Sequence, residues 1–175
     1  MKTADVCAQQ IIIMSILGIA HTVISIVALI IAAVCLFKNG TINPFSKLGK
    51  QYSILTAIAC VSSFALSKSG HFNPGHALGI LILILLGMAY WLGKRTKPVS
   101  LYVVLFCTST TVFLSLIPGV SETLSRLPIG HPLADGPTSP IVQNALKVLL
   151  VLYLSGIAIQ IFRLKKTLKK IDGRI

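Results

Sequence analysis

Long runs of apolar residues, separated by short polar segments, dominate the pattern along the chain. Five runs stand out, at residues 11–37, 52–67, 76–93, 99–118 and 141–162. A helix needs about 20 apolar residues to cross a hydrocarbon core about 30 Å thick, and four of the runs approach or exceed that length. The run at 52–67 is shorter, would cover only about 24 Å, and contains several serines and threonines. The pattern predicts an all-α, polytopic membrane bundle with five transmembrane helices, or with four and a re-entrant segment at 52–67.

Residues that begin and end helices support these boundaries. Asn73–Pro74 and Ser139–Pro140 each combine a helix-capping side chain with a proline that suits the first helical position. Pro118–Gly119 is expected to end the fourth span, because proline and glycine interrupt helices. The segments between the runs are short, so we expect residues 1–175 to form a single membrane domain.

Composition excludes the soluble classes of protein. Of the 175 residues, 54% are apolar and only 11% are charged, against about 25% charged in a typical soluble domain. The net charge of +12 raises nucleic acid as a partner, but such a partner needs one continuous basic face. Here twelve of the sixteen basic residues form three groups, each after a long apolar run: Lys38, Lys47 and Lys50; Lys94, Arg95 and Lys97; and Arg163, Lys165, Lys166, Lys169, Lys170 and Arg174. We therefore expect no nucleic-acid partner.

The same basic groups predict the orientation of the chain. With five spans, and Lys147 set aside, twelve basic residues lie on one side of the membrane and three on the other. With four spans the best split is ten to five. Because basic residues concentrate on the cytoplasmic side, the charges favour five spans, an outer amino terminus and a cytoplasmic carboxyl terminus. Short loops and small size favour a bacterial cytoplasmic (inner) membrane.

The first run is expected to be a retained span and not a signal peptide. A signal peptide has an apolar core of about 7–15 residues after a basic segment. The run at 11–37 is much longer, and Asp5, Gln9 and Gln10 stand where the basic segment would be.

The carboxyl-terminal tail, residues 163–175, predicts a contact with lipid. Ile161, Leu164, Leu168 and Ile171 recur at helical spacing with basic residues between them. That pattern is typical of an amphipathic helix that continues the last span and lies on an anionic cytoplasmic leaflet. The residues expected to contact anionic lipid are Arg163, Lys165, Lys166, Lys169 and Lys170. Tyr52, Tyr90, Trp91 and Tyr102 fall near the same interface, as an aromatic belt would.

Ionisable side chains in the outer half of the bundle define a candidate polar site. An ionisable group inside a membrane is costly, and its default interpretation is functional. The alternatives are that Lys147 extends outward along its own helix and that a neutral His21 bonds to a neighbouring helix. Because the amino termini of spans one, three and five face outward, this half suits an anion or a polar headgroup. The candidates are His21, His71, His76, Glu122, Arg126, His131 and Lys147.

The outer loop at 119–139 has two interpretations. Ser121 is placed to cap a short interfacial helix in which Glu122 and Arg126 are spaced i, i+4, which suits an exposed ion pair. Prolines then stiffen the return to the fifth span. The loop is either this rigid connector or a lid over the outer ends of the helices.

We predict neither a cofactor nor a metal. The cysteines form no CxxC pair, and Cys35, Cys60 and Cys107 are expected to pack within helices. Helical-bundle cytochromes hold b-type haem between histidines on facing helices, and this chain is similar to them in having both helices and histidines. His21, however, is the one histidine well inside a span, so haem is a minor alternative.

Three functional hypotheses follow. None of the catalytic motifs for hydrolases, phosphate loops, zinc helices or dinucleotide binding is present, which favours an accessory, assembly or structural subunit without chemistry of its own. Such a subunit would bind another membrane protein or form a homo-oligomer. The second hypothesis is a small-solute carrier or channel that uses His21, Lys147 and the stretch Thr108–Thr111. The third is a membrane enzyme or redox protein that acts on a lipid or quinone through His71, His76, Glu122 and His131.

Overall fold

The computed structural model describes residues 2–66, 73–95, 97–128 and 131–172, and the side chains of residues 16–170 within those ranges. These residues form helices joined by loops, without strands, so the all-α prediction is confirmed for this part of the chain. The helices are α1 (Lys2–Asn39), α2 (Lys47–Ala65), α3 (Pro74–Gly93), α4 (Pro98–Arg126) and α5 (Pro140–Asp172).

Four of these helices are long and apolar enough to cross a membrane. They are α3, α4, the segment Ile16–Asn39 of α1 and the segment Pro140–Lys170 of α5, with mean hydropathies between 2.0 and 2.7. These lengths and hydropathies support a membrane-type helical protein with four candidate spans. The sequence of α2 is less apolar, as its serines and threonines imply.

Side-chain caps begin α2 and α3. The Ser46 hydroxyl accepts the amide N–H of Gly49 at 3.1 Å, and the Asn73 side chain accepts that of His76 at 3.0 Å. Pro74 follows Asn73 at the first helical position, as the sequence predicts. Each cap satisfies an amide that has no partner within its own helix.

The expected end of the fourth span at Pro118–Gly119 is wrong, because α4 continues through Pro118 to Arg126. Proline removes one backbone hydrogen bond and not the whole helical ladder. In an apolar surrounding the neighbouring backbone groups have no water to bond instead, so the helix is retained across the proline. The predicted interfacial helix is therefore the last two turns of α4, and Ser121 lies inside the helix and does not cap it.

The helices pack in chain order. α1 packs against α2, α2 against α3, α3 against α4 and α4 against α5, and α1 also approaches α4. Small side chains such as Ala28, Ala32 and Cys35 are buried in the main core cluster, which lets the helices come close together. The backbone of α5 comes close to that of α4 alone among the described helices, so α5 lies at the margin of the bundle.

Candidate functional site

A row of hydroxyl side chains at the centre of α4, Thr108–Thr111, forms the polar seam of the bundle. The Tyr52 phenol of α2 lies 2.8 Å from the Thr111 hydroxyl, and both residues are fully buried. The Thr111 hydroxyl donates to the carbonyl of Thr108, so the phenol donates to Thr111. Tyr52 was expected in an aromatic belt, and this is wrong: its long side chain reaches inward and joins α2 to α4.

The other side of the seam joins α4 to α5. The Ser109 hydroxyl donates to the Gln160 side-chain oxygen at 2.6 Å, and the Thr110 hydroxyl lies 2.7 Å from the Tyr153 phenol. Thr108 donates to the carbonyl of Val104 in its own helix. Each hydroxyl of the seam therefore bonds within the bundle, which agrees with the role of such residues in holding membrane helices together.

His21 bonds to the neighbouring helix. Its Nδ1 lies 2.9 Å from the Ser62 hydroxyl of α2, and that hydroxyl donates to the carbonyl of Ala59. The serine proton is thus already used, and the imidazole donates through Nδ1–H. His21 is half-buried at the contact of α1 with α2.

The other histidines lie elsewhere. The half-buried His76 is near the start of α3, with its ring centroid 5.3 Å from that of Phe64 of α2. His131 is exposed in the loop after α4, where its amide donates to the carbonyl of Pro128. His71 lies outside the described residues. Within the described residues no three His, Cys, Asp or Glu side chains come together as a metal site.

Glu122 and Arg126 form the ion pair that their i, i+4 spacing predicts, with 2.5 Å between the carboxylate and Nε. Both side chains are mostly exposed, at 60% and 76%. The loop that follows folds back on the end of α4: the amides of Leu133 and Ala134 donate to the carbonyls of Leu127 and Leu124. These bonds agree with a rigid connector between α4 and α5.

Lys147 lies exposed on α5, and its ammonium donates to the Asn144 side chain at 3.3 Å. Asn144 is nearly one turn closer to the start of the helix, so the lysine points back toward that end. This direction agrees with the interpretation that Lys147 extends along its own helix, as a lysine does to keep its charge near a membrane surface.

The structure has two open clefts near the candidate residues, and each cleft includes a different one of them. The first, about 410 Å³, lies between α2, α3 and α4 and includes Glu122 in its wall. The second, about 420 Å³, lies between α4 and α5 and includes Lys147. Ile117 contributes to both clefts, whereas His21 and His76 line neither. Glu122 and Lys147 therefore lie in different clefts, and the two histidines lie in neither.

Residues 163–172 of the tail form the last turns of α5, which runs unbroken to Asp172, so this part of the tail continues the last helix; Arg174 lies outside the described residues. The half-buried Leu164 and Leu168 alternate with exposed basic side chains. Those predicted for lipid contact, all exposed, are Arg163, Lys165, Lys166, Lys169 and Lys170.

Sequence analysis identified Thr108–Thr111 but not the partners of these residues, Tyr52, Tyr153 and Gln160. The available signal was a polar side chain inside an apolar run, since such a group needs a hydrogen-bond partner in the membrane. Comparison of this chain with known protein families, with curated proteins and with solved structures finds no match. The function proposed below therefore rests on the residues of this chain.

Proposed function

We propose that this chain crosses a bacterial cytoplasmic membrane five times, with its amino terminus outside, and acts as an accessory or structural subunit without catalytic chemistry of its own. The observation that carries the functional part is the use of the polar side chains inside the helices. His21, Tyr52, Ser109 and Thr110 each bond to a neighbouring helix, and none of the four lines either of the two open clefts.

The geometry of α2 supports a fifth span. Its 19 residues cover about 28 Å at the rise of an α-helix, close to the thickness of a hydrocarbon core. Tyr52, near its start, bonds to α4, and Ser62, near its end, bonds to α1. These two bonds lie ten residues, about 15 Å, apart along α2, and its backbone packs against the apolar helices α1 and α3. A re-entrant segment would turn back before reaching the opposite side.

Contacts of the loop between α1 and α2 with α3 and α5 support a single basic side. Phe45, in the loop between α1 and α2, packs on Tyr90 near the end of α3 with 4.8 Å between ring centroids. Gly93 leaves space for the same ring, since a Cβ there would lie 2.6 Å from it. The Arg163 guanidinium lies 3.3 Å from the position that a Cβ on Gly40 would take. These contacts support the proposal that the three basic groups lie at one end of the bundle, as a cytoplasmic side requires.

The exposure of α5 supports a role through lateral contacts. Only 6% of its most apolar window is buried within the chain, against 39% for α4. A helix with so little intramolecular cover presents its surface to lipid or to another membrane protein. Valine and leucine side chains dominate this surface, among them Val151 and Leu152 at 61% and 64% exposure.

Photo-crosslinking in the native membrane tests the proposed role. A photoreactive amino acid at Val151 or Leu152 is expected to crosslink one defined protein, either a partner or a second copy of this chain. Ile19 on α1, which is 66% exposed, is the matched control position and should not crosslink that protein. Crosslinking to lipid alone from all three positions, together with a monomer in mild detergent, would contradict a subunit role.

A further inference from the structure

The cleft between α4 and α5 combines apolar walls with a charged side chain. Phe113 and Ile117 line it from α4, and Leu146 and Leu150 line it from α5. Gln143 and Lys147 supply its polar atoms. Its volume of about 420 Å³ is within the range of small-molecule sites in proteins, roughly 300–1,000 Å³.

The α5 residues of the cleft form one stripe along the helix. Positions 143, 146, 147 and 150 follow the i, i+3, i+4, i+7 spacing that places side chains on one face. The stripe extends about 10 Å along the helix axis at 1.5 Å per residue. One side of the cleft is fixed by Phe113, which stacks on Tyr153 with 4.5 Å between centroids, and Tyr153 in turn bonds to Thr110.

The two polar side chains of the cleft, Gln143 and Lys147, lie toward the start of α5, with Leu146 between them. The ammonium of Lys147 bonds to Asn144 and so points toward the start of α5, where the aligned peptide dipoles also favour a negative charge. Leu150 and Phe113 lie deeper in the bundle. Among the described residues the one ion pair is Glu122–Arg126, so the charge of Lys147 has no carboxylate partner there.

We propose that this cleft binds one anionic phospholipid of the bilayer. Its phosphate contacts Lys147 and Gln143, and an acyl chain lies along Phe113, Ile117, Leu146 and Leu150. A purely apolar occupant would leave the lysine without a counter-charge, and a soluble anion would leave the apolar walls uncovered. The proposal goes beyond the accessory role, does not depend on it, and holds for either orientation of the protein.

A lipid with a diazirine in its acyl chain tests the site in the full-length protein. Photoreactive phosphatidylglycerol is expected to label the peptides that contain residues 113–117 and 146–150. Phosphatidylcholine with the same acyl chains should label them less, because its headgroup carries no net charge. Since one basic residue contributes about 1 kcal/mol to the attraction of anionic lipid, Lys147→Gln should lower the apparent affinity about fivefold.

Matched variants separate this site from charges elsewhere on the chain. Lys147→Arg should retain the labelling, and Lys50→Gln, which removes an exposed charge from α2, should leave it unchanged. Leu146→Trp should reduce it by filling the cleft. The proposal fails if Lys147→Gln labels as the unaltered chain does, if phosphatidylcholine labels equally well, or if excess inorganic phosphate displaces the lipid, which would indicate a site for soluble anions.

Discussion

Replacing Tyr52 or Thr111 tests the hydrogen bond that joins α2 to α4. Tyr52→Phe removes only the phenol oxygen, and Thr111→Val exchanges a hydroxyl for a methyl of similar shape. After Tyr52→Phe, Thr111 still donates to the carbonyl of Thr108. After Thr111→Val, the buried Thr56, one turn along α2, remains close to the phenol. Neither single change therefore leaves a polar group isolated in the core.

The expected loss of stability is therefore that of one hydrogen bond between side chains. A hydrogen bond between side chains contributes about 0.5–1.5 kcal/mol, and those between membrane helices average about 0.6 and reach about 1.7 kcal/mol. We expect each single variant to lose about 1 kcal/mol, which lowers Tm by about 2–4 °C in a protein of this size. The double variant should lose about as much as one single variant, because both remove the same bond.

Buried cysteines provide the assay. Cys35, Cys60 and Cys107 are all buried, so a thiol-reactive fluorophore reports unfolding on heating, in a Cys7→Ser background. Thr22→Val is the control, since Thr22 is exposed and its hydroxyl bonds only to the carbonyl of Gly18 in its own helix. Losses that add fully in the double variant, to within about 0.3–0.5 kcal/mol, would refute the bond between α2 and α4.

Three further predictions concern the loops and the candidate site. Gly49→Ala should lower Tm by more than 2 °C, because the added Cβ would collide with the Asn43 carbonyl oxygen. Gly87 has open space around it, so the control Gly87→Ala should preserve or raise Tm. Glu122→Gln should change stability by no more than about 0.5 kcal/mol, because an exposed i, i+4 pair contributes little; a larger loss would indicate a structural role for the carboxylate. The purified protein should have no Soret band in its optical spectrum, and such a band would establish haem binding.

Local signals account for most of the helix boundaries. Asn73 and Pro74 predict the start of α3 because a cap and a proline act within one turn of the chain. The prediction that α4 ends at Pro118 was wrong. A proline usually ends a helix in water, whereas in an apolar surrounding the helix continues through it. Whether a proline interrupts a helix depends on its neighbours in space, which a single sequence does not specify.

The partners of polar side chains are harder to predict. His21 and Lys147 were recognisable as ionisable groups in apolar runs, but Ser62 and Asn144 as their partners depend on helix rotation and side-chain direction. Tyr52 carried no signal that distinguished a buried phenol from an interfacial one. The placement of Glu122 and Lys147 in different clefts likewise depends on how the helices pack. Ile117 of α4 lines both clefts.

The most direct test of the five-span proposal is to determine the side of the membrane that each terminus occupies. A small amino-terminal tag should react with a membrane-impermeant reagent at the outer face, and a carboxyl-terminal fluorescent protein that matures only in the cytoplasm should fluoresce. Opposite sides require an odd number of crossings, so if the four more apolar helices all span, α2 must span as well. Both termini on one side would contradict the proposal and leave α2 as a segment that does not cross.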